Sequence, residues 1–178
     1  KHFFYPPVLE CDLFLLPGNY HKGEFVKRLN LKENDDRIKV VGWPAVDELL
    51  NKNYDRDSIM KQMCLDPTKK TVMYAPSWGW GCDNENFFAR WFDSEVKVFE
   101  LLCREVTNHN MNFIVRLHPL TILKNKDILL KIGKKNNVFW PIKEPTHFRD
   151  NPNPYLWITD ILISDISGVI SDLMVLDR

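Results

Sequence analysis

Two stretches, Thr71-Val72-Met73-Tyr74-Ala75-Pro76 and Asn112-Phe113-Ile114-Val115-Arg116-Leu117-His118-Pro119, decide how this chain folds. Both are near-continuous apolar runs with none of the polar alternation of a half-exposed strand, and each stops at a proline. A short apolar run bounded in this way reads as a strand buried on both faces, the signature of a parallel sheet. Between them the pattern predicts a helix from about Ser94 to Asn108. Downstream the alternation continues with a helix over Ile128–Lys135, a strand over Asn137–Ile142, and a loop punctuated by Pro152 and Pro154. A short helical turn, a strand over Asp160–Ser164 and a helix from Ser167 towards Leu176 complete it. Upstream, Asp12–Leu16 reads as a strand closed by Pro17-Gly18. Phe25, Val26 and Leu29 share a helical face within Lys22–Leu29, and Ile38–Val41 reads as a second buried strand, ended by Gly42-Trp43-Pro44. A helix is predicted over Asp47–Asn51 with Asp47 as its cap. The expected fold is α/β, a doubly wound parallel sheet with ligands at the carboxyl ends of its strands. The boundary is placed near Gly42–Asp47. Residues 1–42 are read as the tail of a preceding domain, and residues 43–178 as a partial domain of four strands.

Composition narrows the classes. The chain has 178 residues, 44% hydrophobic and 27% charged, ordinary for a folded domain rather than a disordered one. Lys plus Arg and Asp plus Glu balance at 24 each, so no net field draws the chain to nucleic acid. The local cluster Lys131, Lys134 and Lys135 lacks interleaved aromatics and reads as a solvated helix face. No apolar run is long enough to span a bilayer, and no signal peptide is read. The cysteines at 11, 64, 82 and 103 lack C-x-x-C spacing, which argues against zinc and against a disulfide framework. The opening on Lys1-His2-Phe3-Phe4 and the close on Asp177-Arg178 lead us to expect an excised fragment.

In a doubly wound sheet, chemistry sits where strands end. At Ser164-Asp165-Ile166-Ser167-Gly168-Val169-Ile170-Ser171-Asp172 a strand passes through a small-residue turn into a helix. The free N–H groups of such a turn suit an anion, and Gly168 has no Cβ to hold a pyrophosphate away. Asp172, just over a helical turn later, is placed to accept from ribose hydroxyls. The competing reading makes Ser167 an ordinary helix cap and Asp172 a solvated polar residue. At Arg116-Leu117-His118-Pro119, His118 is suited to donate to a phosphate oxygen or to stabilise a leaving diphosphate; it would equally cap a sheet edge. At Tyr74-Ala75-Pro76-Ser77-Trp78, Ser77 could donate to phosphate and Trp78 form a cleft wall, unless Trp78 simply packs.

Taken in order, these endings resemble the CDP-glycerol glycerophosphotransferases, a family with a GT-B-type fold. That family carries Y-A-P-[ST]-W, R-x-H-P and [ST]-D-x-S-[SG] turns. Val41-Gly42-Trp43-Pro44-Ala45-Val46-Asp47 is similar to its G-[YW]-P-R-x-D segment, and the tail from Asp172 to its F-D-F-x-x-L-D-K-P. The resemblance runs from about Asp12 to Arg178. There are two departures: Ala45 stands where the junction arginine is usual, and Gly79 where a basic residue follows the first turn.

The resemblance implies the carboxyl-terminal, Rossmann-like half of a GT-B enzyme, binding a CDP-activated alditol phosphate such as CDP-glycerol. Glycerol phosphate would pass to a polymer anchored on a membrane lipid, at the cytoplasmic face, with membrane contact through other parts of the protein. Ser77, His118, Ser167 and Gly168 would hold the diphosphate, with Arg116 assisting from its strand end and Asp172 on the ribose. The cytosine would lie near Pro141-Ile142. His118 would stabilise the leaving group, and the main base would be a histidine of the amino-terminal domain. His21, read as lying in the loop after the first strand, is the one local candidate for that base and reads better as an ordinary loop histidine; His147 likewise reads as a surface residue, with a place in the cleft as its alternative. No cofactor is expected, and no metal, because the carboxylates are read as forming no D-x-D pair. The epimerases of UDP-N-acetylglucosamine carry a similar turn, D-S-G-G-x-x-E-E, but Ile170 and Ser171 stand at the carboxylate positions. A UDP-sugar enzyme and a non-catalytic nucleotide-binding module remain the alternatives, the second favoured by Ala45 and Gly79.

Overall fold

A computed structural model describes residues 10–51, 53–77, 85–117, 127, 131, 151–165 and 167–177, with the backbone alone over 85–96. The chain divides into two compact units, 1–51 and 52–178. The division falls after Asn51, later than the Gly42–Asp47 junction read from the sequence, because the helix that follows Gly42 groups with the first unit.

The first unit is a single βαβ step. Strand β1 (Phe14–Leu16) leads into helix α1 (Asn19–Leu29) and returns as strand β2 (Ile38–Val40), parallel to β1 with Phe14 opposite Ile38. Phe14, Phe25 and Ile38 form its core, with the Phe14 and Phe25 rings 4.9 Å apart. Helix α1 stops where Asn30 turns left-handed at φ 53° and donates its N–H back to the Val26 carbonyl, a conformation that Asn tolerates better than most residues. Three expectations need correction. Helix α1 begins at Asn19, so His21 lies in its first turn and not in a loop. In β2 only Ile38 is buried, so the strand is not buried on both faces. Helix α2 spans Pro44–Asn51, so Asp47 is inside it and not its cap. Proline lacks an N–H that a first helical turn leaves unbonded anyway, and its fixed φ suits that position.

The second unit opens with α3 (Arg56–Gln62), capped by Asp55, whose carboxylate accepts from the Asp57 N–H at 3.2 Å. Strand β3 (Thr71–Tyr74), helix α4 (Glu85–Asn108), strand β4 (Asn112–Val115), helix α5 (Asn153–Ile158), strand β5 (Ile161–Ile163) and helix α6 (Val169–Met174) follow. The three strands form one parallel sheet in the order β4-β3-β5, with Tyr74 opposite both Val115 and Ile163. Every residue of β3 and β4 is buried. That is the physical reason their sequences show no alternation: helices cover both faces. On one face Val72, Tyr74, Phe113 and Val115 pack with Phe99, Cys103 and Val106 of α4. Met73 and Ile114, alternating with them, are also fully buried, and α5 lies against β3 with α3 against α5.

Helix α4 begins at Glu85 rather than near Ser94. No Gly or Pro lies between 85 and 108, so Ser94 costs only a weak propensity and does not start a new helix. Among the described strands β3 is the middle one, and Ile161 of β5 is 45% exposed. The expected strand over Asn137–Ile142 and helix over Ile128–Lys135 lie outside the described residues.

Candidate functional site

Because the sheet is parallel, all three strands deliver their carboxyl ends to one edge. β3 leads to Ala75-Pro76-Ser77, β4 to Arg116, and β5 to Ser164-Asp165. Arg116 donates its N–H to the Tyr74 carbonyl at 2.8 Å, and Ala75 donates to the Ile163 carbonyl at 3.0 Å. These bonds set the three ends level. From β3 the chain goes on to β4 on one side, whereas β5 lies on its other side, and such a reversal of strand order is where open α/β sheets place their ligands.

Ser77, Arg116, Ser167, Gly168 and Asp172 all belong to this edge; His118, Trp78 and Gly79 lie outside the described residues, as do Pro141-Ile142 and His147. Ser77 is committed. Its N–H donates to one Asp165 carboxylate oxygen at 2.8 Å and its hydroxyl to the other at 2.6 Å. A hydroxyl has one proton to give, so while this bridge holds Ser77 has none for a phosphate oxygen. The Ser164 hydroxyl adds a third tie, donating to the Ala75 carbonyl at 2.6 Å.

The Ser167-Gly168 turn is open. Gly168 begins α6 at φ −56° and ψ −22°, values any residue adopts, with no side-chain cap. Ser167 therefore does not cap the helix, and glycine is not required by the backbone. A Cβ built on Gly168 would meet nothing within 4 Å among the described residues. The N–H groups of Gly168 and Val169 likewise have no backbone partner among the described residues. Helix α6 has only 6 residues, so any attraction for an anion rests on those N–H groups more than on a long helix dipole.

Asp172, in the first turn of α6, is half-buried, and its Oδ1 is buried with no hydrogen-bond partner among the described residues. Burial pushes its carboxyl above the ordinary value, and the positive charge of Arg116 acts in the opposite direction. Asp172 and Arg116, from two different motifs, thus share one electrostatic environment. Reading Asp172 as a solvated residue is incorrect.

The opposite edge of the sheet carries a second set of charges, which the sequence reading missed. Asp160 accepts from the Thr71 N–H at 2.7 Å and from Arg56 at 2.9 Å, with Lys70 at 3.8 Å. Arg56 also donates to the Ile158 carbonyl at 3.0 Å. This cluster sits at the amino ends of β3 and β5, away from the crevice, and fastens α3 to the sheet. The chain does contain one D-x-D spacing, Asp55-Arg56-Asp57, but there Asp55 caps α3 and Arg56 pairs with Asp160. Among the described residues no three His, Cys, Asp or Glu side chains are grouped to hold a metal. Cys103 is a core residue whose thiol is pushed up to about 12 by burial, hence inert.

The fold is a doubly wound α/β domain whose strands bring their carboxyl ends to one edge, a partial Rossmann-like half of the GT-B type. The chain belongs to the CDP-glycerol:poly(glycerophosphate) glycerophosphotransferase family, whose sequence model matches residues 4–178. It is 25% identical over 170 residues to a teichoic acid glycerol-phosphate transferase of Staphylococcus aureus (strain NCTC 8325 / PS 47), covering 94% of this chain and 40% of that protein. It is 28% identical over 182 residues to a teichoic acid poly(glycerol phosphate) polymerase of Staphylococcus epidermidis (strain ATCC 35984 and its synonyms), covering 100% of this chain and 23% of the polymerase. Among solved structures it resembles the wall teichoic acid polymerase TagF, with a TM-score of 0.63 at 24% identity, over 94% of this chain and 37% of that one. A variant of that polymerase soaked with CDPG gives a TM-score of 0.62 at 22% identity, over 100% and 41% of the two chains. The chain therefore spans less than half the length of the curated relatives it matches.

Proposed function

We propose that residues 52–178 form the donor-binding part of a transferase that takes glycerol phosphate from CDP-glycerol and passes it to a membrane-anchored polymer. Residues 1–51 then belong with the acceptor-binding part and the junction, a boundary moved from Gly42 to Asn51. The observation that carries this reading is the family match over nearly the whole chain, together with the three motif turns, two of which meet in the described crevice. The diphosphate is held by the open N–H groups at Ser167-Gly168 and by His118, with Arg116 adding positive charge. His118 stabilises the departing nucleotide, Asp172 accepts from the ribose hydroxyls, and Ser77 shapes the β3 side. Each such charge-assisted bond to a phosphate oxygen is stronger than a neutral one. The base for the attacking acceptor hydroxyl comes, on the family resemblance, from a histidine of the acceptor side. The enzyme would act at the cytoplasmic face as a peripheral protein; among the described residues no helix is long and apolar enough to cross a membrane.

Calorimetric titration of the full-length protein with CDP-glycerol, CDP-ribitol and UDP-N-acetylglucosamine in parallel tests the donor. The expected result is binding of CDP-glycerol at least about tenfold tighter than of the UDP-sugar, a gap of about 1.4 kcal/mol. Preference for the UDP-sugar overturns the assignment in favour of a sugar-nucleotide enzyme, and no binding of any of the three favours a module without chemistry.

A further inference from the structure

The paired hydrogen bonds between Ser77 and Asp165 lie beyond the last ladder bond of β3 and β5. The ladder ends with Ala75 donating to Ile163. From there the two chains are free to diverge, one towards α4 and the other towards α6. Instead they stay joined by side chains: Ser164 to the Ala75 carbonyl, then Asp165 to both donors of Ser77. Two partners 88 residues apart in sequence are thereby held at the mouth of the crevice. Asp165 is exposed and Ser77 half-buried, so the bridge adds little burial; exposed charged contacts contribute little to folding stability. A carboxylate beside a diphosphate site also carries an electrostatic cost. A group that is weak for stability and unfavourable for ligand charge, yet makes two short bonds at a site edge, is better explained by geometry.

We propose that Asp165 is a positioning residue of the donor crevice: by taking both the N–H and the hydroxyl of Ser77, its carboxylate fixes the β3 loop at a set distance from the Ser167-Gly168 turn. This rests on the donor reading above. It assigns Ser77 a different part from direct donation to phosphate, since its proton is already given to Asp165. The diphosphate is then received between two walls whose separation is set before it arrives, so the loops lose little freedom on binding.

The test is a double-mutant cycle in the full-length protein, reading CDP-glycerol affinity by calorimetry, KM and kcat by turnover, and the thermal midpoint. Asp165→Ala is expected to weaken donor binding about tenfold, equivalent to about 1.4 kcal/mol, with the midpoint nearly unchanged. Ser77→Ala is expected to weaken it less, because the backbone N–H bond to Asp165 survives. The double variant is expected to be no worse than Asp165→Ala alone, since residues acting through one bridge are not additive. Asp165→Asn should restore most of the affinity, because the amide accepts from the N–H and donates to the Ser77 hydroxyl oxygen. Additive losses in the cycle overturn the proposal, as does unchanged affinity in Asp165→Ala, or Asp165→Asn behaving like Ala. If Asp165→Ala does not fold, Asp165→Glu keeps the charge and both acceptors but moves them by one methylene. Weakened binding in that folded variant supports the proposal, and parental affinity overturns it. Parent protein that binds no CDP-linked donor refutes the donor reading, and this proposal with it; a binding parent with an additive cycle refutes this proposal alone.

Discussion

Asp172 shows what a single residue reveals about where chemistry is placed. Its carboxylate is half-buried, one oxygen lacks a hydrogen-bond partner among the described residues, and its proton affinity is raised by burial against the pull of Arg116. Folding therefore disfavours its charged form. A carboxyl whose pKa is higher in the folded state adds stability when protonated, and that contribution is lost as pH rises through the folded pKa. Asp172→Asn should accordingly raise the thermal midpoint at pH 7, by on the order of a degree or two. The gain should shrink as the pH is lowered into the ordinary carboxylate range, where the parent Asp172 is itself protonated. If the residue serves the ribose, the same variant should bind donor more weakly while being more stable, the trade expected where a site holds an unfavourable group for function. Thermal unfolding of parent and variant across pH checks the first statement: a midpoint that falls at pH 7, or a gain that grows on acidification, contradicts it. Ser77 shows the limit of reading one residue at a time. Its hydroxyl was legible as a donor at a strand end, but its partner Asp165 lies too far along the chain for any local pattern to connect them.

At the scale of elements, the strands declare themselves more clearly than their order. Thr71–Tyr74 and Asn112–Val115 were legible because burial on both faces removes polar residues from every position. That same uniformity hides which strand is the neighbour of which, so nothing in Asp160–Ser164 indicated that β5 pairs beside β3 with an exposed Ile161. Helix α3 was overlooked, although Asp55 two residues before Asp57 is a cap signal, because its 7 residues are too few for a periodic pattern. Besides the packing of Ile59 and Met60, Asp160 ties α3 to the sheet through Arg56. Burial drives its carboxyl upward, but the Thr71 N–H, Arg56 and Lys70 outweigh that, and its pKa is lowered overall. A lowered carboxyl pKa contributes stability above the unfolded value, and that contribution disappears as pH falls through the folded value. Asp160→Ala leaves the N–H of fully buried Thr71 without its acceptor, which costs about 1–3 kcal/mol. Urea unfolding should show the loss at pH 7 and a smaller one in acid, with donor binding by the folded fraction unchanged because the cluster is at the far edge of the sheet. An equal loss at both pH values removes the ionic part of the argument.

At the scale of the whole molecule, every described strand pairing is parallel, so each unit sends its strand ends to one edge. The second unit gathers there the described parts of turns that stand apart in the sequence, Ala75–Ser77, Arg116 and Ser164-Asp165. Their convergence could be anticipated only from the topology rule, since each turn alone also fits a bland structural part. The Ser167-Gly168 turn puts this convergence to the sharpest test. Gly168 has backbone angles open to any residue, and a Cβ there meets nothing within 4 Å among the described residues. The described fold thus gives no reason for glycine at 168, whereas the diphosphate site proposed at the N–H groups of Gly168 and Val169 would. Gly168→Val should leave the thermal midpoint within about 2 °C of the parent, since single surface changes shift stability by roughly 0.5 kcal/mol or less. It should nevertheless weaken CDP-glycerol binding by at least about tenfold, because a branched side chain occupies the approach. Gly168→Ala, with a single methyl group, should fall between parent and valine. The ordering glycine, alanine, valine in donor affinity at constant stability is what an anion site demands and what a helix start does not. Calorimetry and thermal unfolding on the three full-length proteins decide the matter: if valine binds donor as tightly as glycine, the turn only begins a helix, and the diphosphate must be sought nearer His118 and Arg116.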